Sequence, residues 1–128
     1  DRFELAKKSK NLSKKALKRW FTDEYLEKNP NTYNKISSML EQNNLENFLK
    51  VYELFVNHKD NEKFENIKTK TLVMTGERDI GSTPEMSKSL SKVINNSKVK
   101  IISKGKHLCS IECSDDVNMS IKKHIQYD

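Results

Sequence analysis

The chain has 128 residues, of which 34% are hydrophobic and 33% are charged. This length and composition fit one folded domain and argue against a disordered chain. The sequence contains no apolar run of transmembrane length and no signal-peptide core, so no membrane partner is expected. The net charge of +6 permits binding to a polyanion, but no recognised nucleic-acid-binding motif accompanies it, so no nucleic-acid partner is expected either.

The first half of the chain is predicted to be helical. Apolar residues recur there at intervals of three or four, and lysines cover the other faces of the first segment. The predicted helical segments are residues 5–21, 23–26, 33–40 and 45–56. Thr22 or Asp23 is the expected cap of the second segment, and the turn around Pro30 ends it. No strand is predicted before residue 70.

The second half has the pattern of a β-α-β-α unit. Residues 71–75 form a short apolar run typical of a strand buried on both faces, and residues 99–102 form the second predicted strand. Between them, Pro84 suits the first turn of a helix whose apolar face ends at Ile94, and Asn95, Asn96 and Ser97 are predicted to end that helix. A last helix follows, with its cap in residues 114–116. A helical crossover makes the two strands parallel, so we predict an α/β fold.

Each predicted strand runs into a turn that carries a polar side chain. The first strand leads through Gly76 to Asp79, and the second leads through Gly105 to His107. The carboxyl ends of parallel strands lie at one edge of a sheet, where ligands and catalytic groups collect. Either residue alone would be interpreted as an ordinary loop residue. Together they predict the acid and the base of a catalytic triad, in which the carboxylate orients the imidazole and stabilises its cation.

These residues together resemble the C-terminal half of an α/β-hydrolase. The similarity lies in residues 67–79, in Pro84, and in His107 followed by Glu112. The resemblance implies that Asp79 is the triad acid and that His107 is the general base. It also implies a helical cap followed by the last two strands of the parallel sheet, with an incomplete core.

Residues 19–22, followed by Pro30, resemble the cap of the 3-oxoadipate enol-lactonase group. In that group the residues matching Arg19 and Trp20 face the substrate pocket, which implies a substrate-binding role here. An arginine beside an aromatic ring can hold a carboxylate with two hydrogen bonds while the ring stacks on an unsaturated lactone. Trp20 is also open to a simpler interpretation, as an apolar anchor between helices.

The nucleophile of the family is missing from these residues. Its elbow has the pattern Gly-x-Ser-x-Gly, and no two of the chain's three glycines, Gly76, Gly81 and Gly105, bracket a serine at that spacing. Cys109 lies two residues beyond His107, but nothing beyond proximity activates its thiol, so it is not expected to substitute. We therefore expect the chain to be inactive alone. Its expected partner is the missing N-terminal half of the same protein or a second copy of itself.

The resemblance implies a division into a cap over residues 1–65 and the C-terminal part of a hydrolase core over residues 66–128. It further implies a serine-type hydrolase that acts on a small carboxylic ester or lactone without a cofactor. The alternative is a non-enzymatic helical interaction module, whose lysine-rich residues 7–19 would bind a polyanion. A salt-dependent shift with DNA or RNA would favour that alternative.

The two cysteines allow one further interpretation. His107, Cys109 and Cys113 form an H-x-C-x3-C cluster, but the second paired element of a zinc site is lacking, so no metal is expected. A lone pair of cysteines is also weak support for a disulfide. We expect free thiols in a cytoplasmic protein.

Overall fold

The computed structural model describes residues 12–58 and 63–126. Four helices come first, namely α1 (Leu12–Trp20), α2 (Asp23–Lys28), α3 (Pro30–Glu41) and α4 (Leu45–Asn57). A 3-10 turn and the α/β part follow, namely Phe64–Asn66, β1 (Thr71–Gly76), α5 (Pro84–Val93), β2 (Ser97–Ile102), α6 (Cys109–Glu112) and α7 (Ser114–Gln126). The part of the first predicted helix before residue 12 lies outside the described residues.

Side chains at the helix ends explain where α2 stops and α3 starts. Thr22 caps α2, because its hydroxyl accepts a hydrogen bond of 3.2 Å from the Tyr25 N–H. The Asn29 side chain closes the same helix by donating to the Tyr25 carbonyl at 2.8 Å. Pro30 then occupies the first turn of α3, where its missing N–H is not needed. The predicted break is confirmed, and α3 starts three residues earlier than Tyr33, the first residue of the predicted segment.

The two strands pair in parallel, in a register that places Gly76 opposite Ile102. The crossover helix α5 packs against both strands. It is capped by the Thr83 hydroxyl and carries Pro84 in its first turn. The predicted β-α-β order with parallel strands is therefore confirmed. Their carboxyl ends meet at one edge of the sheet.

Three local features differ from the predictions. Ser97, predicted to end the crossover helix, is the first residue of β2, and the Ser91 and Ile94 carbonyls, each 2.8 Å from its hydroxyl oxygen, share its one proton. Ser97 therefore satisfies carbonyls at the end of α5 although it belongs to β2. The short helix α6 was not predicted. The last helix begins at Ser114, so the residues predicted to cap it form its first turn.

The apolar core is small. Its buried members are Leu17, Phe21, Val73, Ile94, Ile102 and Val117. By contrast, Val51, Leu54 and Phe55 on α4 remain 66%, 74% and 71% exposed. Within the described residues, β1 and β2 form a two-stranded sheet, and such sheets need further packing to be stable. These features agree with the predicted incomplete core. None of the described helices is both long and apolar enough to cross a membrane.

Gly76 allows the two strand ends to approach each other. A Cβ atom at this position would lie 2.3 Å from the Lys106 carbonyl oxygen and 2.4 Å from that of Gly105. Both are backbone atoms, which cannot move without moving the loop that carries His107. We expect Gly76→Ala to lower the free energy of unfolding by roughly 2–3 kcal/mol, measured by urea denaturation followed by circular dichroism.

Gly81→Ala provides the matched control. A Cβ atom there would meet the end of the Arg19 side chain, 2.3 Å from Nη2, and a flexible side chain can move aside. We expect its free energy of unfolding to change by less than about 1 kcal/mol. Equal losses in the two variants would contradict the close approach at Gly76.

Candidate functional site

Asp79 lies three residues beyond β1 and is 5% exposed. Its Oδ1 accepts hydrogen bonds from the backbone N–H groups of Gly81 and Ser82, at 2.7 and 3.0 Å. Its Oδ2 lies 2.7 Å from Nδ1 of His107. Both carboxylate oxygens are therefore paired, as a buried charge requires.

The environment keeps the Asp79 carboxyl ionised. Burial acts to raise its pKa, but the hydrogen bonds from Gly81, His107 and Ser82 outweigh burial, and the pKa lies below its usual value. A charged Asp79 accepts the Nδ1 proton of His107 and leaves Nε2 as the proton acceptor. The His107 side chain is 35% exposed, so the ring is accessible. This pair has the arrangement of a triad acid and its base.

Backbone hydrogen bonds join the two loops that carry this pair. The Glu77 N–H donates to the Ile102 carbonyl and the Arg78 N–H donates to the Gly105 carbonyl, both at 2.9 Å. The Glu77 carboxylate accepts the Lys104 N–H at 2.8 Å, and this hydrogen bond lowers the pKa of Glu77. Lys104 has a positive φ of 61°, which is uncommon outside glycine. Glu77 therefore holds a tight turn just before the histidine loop.

The structure brings both predicted cap residues to the same loops. The guanidinium of Arg19 packs on Gly81, in the space that a Cβ atom would occupy. Gly81 is also the residue whose N–H binds Asp79. Trp20 is half-buried, and its carbonyl accepts the Leu108 N–H at 3.0 Å. All four predicted site residues thus lie on segments that contact one another, although their roles remain predictions.

Glu112 was not predicted as a site residue. Its Oε1 accepts hydrogen bonds from the N–H of Thr22, at 2.8 Å, and from the Thr22 hydroxyl. Its Oε2 accepts the N–H of Lys106 at 2.9 Å. The only signal in the sequence was its place five residues after His107 in the hydrolase-like motif.

The cysteines do not form a second chemical site. Both are free thiols, and burial raises the pKa of Cys109 and of Cys113. Neither thiol is therefore activated as a nucleophile. Both pack on Gly105, where a Cβ atom would lie 2.8 Å from the Cys109 Cβ and 3.2 Å from the Cys113 Sγ. Among residues 12–58 and 63–126, no group of three or more His, Cys, Asp or Glu residues could hold a metal ion.

A groove of about 590 Å³ lies between α7 and one face of the sheet. Its lining includes Lys98, Lys100 and Lys123, together with Asp116. Because a carboxylate sits among the lysines, the groove is not a uniformly positive surface. Neither Asp79 nor His107 lines this groove, so the groove is separate from the Asp79–His107 pair.

Solved structures match the fold of this chain. An enol-lactonase from Burkholderia xenovorans LB400 has a TM-score of 0.88 at 22% sequence identity, over 97% of this chain and 48% of that one. A hydrolase from Pseudomonas aeruginosa PA01 gives a TM-score of 0.82 at 16% identity, over 98% and 48% of the two chains. A malate-bound thermophilic esterase from Thermogutta terrifontis has a TM-score of 0.82 at 19% sequence identity, over 97% of this chain and 47% of that one.

These matches confirm the predicted fold class. The chain has the fold of about half of an α/β-hydrolase, and it spans about half the length of the solved structures that it matches. No protein-family model and no curated protein sequence matches the chain.

The lowered pKa of Asp79 predicts how stability depends on pH. An aspartate in an unfolded chain has a pKa of about 3.9, so below neutrality the unfolded state takes up this proton more readily than the folded state. The stabilisation is complete above about pH 5 and is lost as the pH falls through the folded pKa. We expect Asp79→Asn to flatten the acid limb of the plot of unfolding free energy against pH, measured by urea denaturation.

Asp115→Asn is the control, because Asp115 is exposed in the first turn of α7. We expect this variant to retain the acid limb of the unmodified chain. An acid limb of full slope in Asp79→Asn would contradict the proposed stabilisation of the ionised carboxylate.

Proposed function

We propose that this chain is the acid–base half of a serine-type α/β-hydrolase that acts on a small carboxylic ester or lactone. The observation that carries the proposal is the 2.7 Å contact between His107 Nδ1 and the buried Asp79 carboxylate, at the carboxyl ends of two parallel strands. Residues 1–65 would form the cap, and residues 66–128 the C-terminal part of the core. The hydrolase names of the structural neighbours support this assignment.

The proposed reaction assigns one task to each residue. Nε2 of His107 takes the proton from a serine hydroxyl as that oxygen attacks the substrate carbonyl, and then returns the proton to the leaving oxygen. The ionised Asp79 orients the ring and stabilises the imidazolium that forms. Water, which gives its proton to the same Nε2, then attacks the acyl-serine, and the imidazolium returns that proton to the serine oxygen as the acid leaves. This chemistry needs only proton transfer, a covalent acyl-serine intermediate and water, so the proposal includes no cofactor. The two free thiols support a cytoplasmic location.

In this proposal the serine comes from the half of the fold that this chain does not span. Three serines lie near the two motifs in the sequence, namely Ser82 three residues after Asp79, and Ser110 and Ser114, which are exposed residues of α6 and α7. None of them belongs to a Gly-x-Ser-x-Gly turn. The exposed apolar side chains of α4 favour burial against the N-terminal half of the same protein. Self-association is the competing way to bury them.

The cap would supply substrate recognition. Arg19 lies against Gly81, which places a guanidinium beside the loop of the triad acid. A guanidinium binds a carboxylate through two charge-assisted hydrogen bonds. We therefore propose that Arg19 binds a carboxylate carried by the ester or lactone, and that Trp20 provides an apolar wall. The enol-lactonase among the structural neighbours supports this substrate class.

Hydrolysis of p-nitrophenyl acetate tests the reaction. We expect no turnover above buffer by this chain, because it lacks the nucleophile, and robust turnover by the polypeptide encoded by the complete reading frame. In that polypeptide His107→Ala should lower kcat by roughly 10³-fold or more, whereas His58→Ala, at the exposed end of α4, should leave it unchanged. Undiminished turnover in the His107 variant would overturn the assignment, and turnover by this chain alone would overturn the missing nucleophile.

A carboxylate-bearing ester, compared with p-nitrophenyl acetate, tests Arg19. We expect Arg19→Ala in the complete polypeptide to raise KM for the charged ester about 10–100-fold, which corresponds to the loss of one charge-assisted contact. The neutral ester should change less than about threefold by the same argument. Arg78→Ala is the control, because it removes an equal charge from the exposed residue preceding Asp79. Equal effects of Arg19→Ala on both esters would show that Arg19 does not bind the carboxylate.

A further inference from the structure

One carboxylate joins the cap to the loop that carries His107. Glu112 accepts the N–H and the hydroxyl of Thr22 on Oε1, and the N–H of Lys106 on Oε2 at 2.9 Å. Thr22 is the N-cap of α2, whereas Lys106 immediately precedes the histidine. Thr22 and Glu112 lie 90 positions apart in the chain, so the contact is between two distant segments.

Two further hydrogen bonds connect the residues on either side of His107 to the cap. The Lys106 ammonium donates to the Lys18 carbonyl at 2.8 Å. The Leu108 N–H donates to the Trp20 carbonyl at 3.0 Å. Both neighbours of His107 are thus bonded to the end of α1, while the imidazole itself is bonded to Asp79. The position of the ring therefore depends on the position of the cap.

We propose that Glu112 is a positioning residue that couples the cap to the catalytic loop. It holds the backbone of Lys106 against Thr22, so that the His107 ring stays at Asp79 while Arg19 stays beside the same site. The roles of His107 and Arg19 rest on the proposed function, but the coupling itself is a property of this chain.

A carboxylate is required at this position because both of its oxygens accept hydrogen bonds. Glutamine has nearly the same size, but it offers one oxygen and one NH₂ group. In Glu112→Gln the NH₂ group must face an N–H of either Thr22 or Lys106, and two donors then oppose each other without a partner. The substitution therefore removes a hydrogen bond to either Thr22 or Lys106 without creating a cavity.

Glu77→Gln is the matched control. Glu77 also holds the backbone of the histidine loop, through the Lys104 N–H at 2.8 Å and the Ser103 hydroxyl at 3.4 Å. It is exposed, and the hydrogen bonds of its carboxylate among the described residues go to Ser103 and Lys104 rather than to the cap. Each variant therefore removes one carboxylate charge that is hydrogen-bonded to the histidine loop, and the two differ in whether that carboxylate is also hydrogen-bonded to the cap.

Nuclear magnetic resonance on this chain tests the coupling without any turnover. In Glu112→Gln we expect the amide protons of Lys106 and Leu108 to exchange with solvent at least about tenfold faster, because these hydrogen bonds open more often. The downfield signal of the His107 Nδ1 proton should broaden or vanish. In Glu77→Gln we expect faster exchange at Lys104 only, with the His107 signal retained. Identical behaviour of the two variants at His107 and Leu108 would overturn the proposal.

A second pair of variants changes the cap side of this contact, at Thr22, and tests the coupling even if Glu112→Gln does not fold. Thr22→Val removes one donor to Glu112, and we expect it to speed exchange at Lys106. Thr83→Val is its control, because Thr83 caps α5 through the Met86 N–H at 3.3 Å and should leave Lys106 unchanged. Unchanged exchange at Lys106 in both variants would also overturn the coupling. An inactive complete polypeptide would overturn the proposed function instead, and would leave these exchange results standing.

Discussion

The buried carboxylate of Asp79 is the constraint around which the site is arranged. A charge with 5% exposure must be hydrogen-bonded on both oxygens to be tolerated. Its own loop can satisfy one oxygen, through Gly81 and Ser82, but the other needs a partner from the end of β2. The loop of His107 must therefore approach closely, which is possible because Gly76 has no Cβ atom. The same hydrogen bonds that make burial tolerable keep the pKa of Asp79 low and orient the imidazole.

The segment of α1 and α2 holds the histidine loop from its other side. The residues flanking His107 are hydrogen-bonded to the end of α1, and Glu112 adds a carboxylate that reaches Thr22. Asp79, His107 and the segment of α1 and α2 therefore form one connected unit, although the apolar core beneath them is small. In the proposed hydrolase the nucleophile would come from the remaining half of the fold, and the exposed apolar face of α4 would be a surface on which that half could pack.

The sequence predicts some of these features because they are local. The apolar run of β1, the Gly76 turn and the proline of α5 are local signals. Because the carboxyl ends of parallel strands lie at one edge of a sheet, Asp79 and His107 are then predicted to lie close together. Arg19 was identified by resemblance to a family, since nothing in its spacing connects it to residue 81. Glu112 escaped prediction because its role depends on Thr22, a contact across 90 positions. Ser97 was misassigned because a polar residue after two asparagines has the pattern of a helix end, whereas tertiary pairing with β1 makes it a strand residue.

Intact-mass spectrometry after treatment with a fluorophosphonate shows whether the serine nucleophile lies outside this chain. This reagent forms a covalent bond, with loss of fluoride, to a serine that a neighbouring histidine activates. We predict no adduct on this chain, and a single adduct on the polypeptide of the complete reading frame, at a serine outside residues 1–128, which is lost in His107→Ala. An adduct on a serine within this chain that disappears in His107→Ala would overturn the missing nucleophile, because the nucleophile would then lie among these residues.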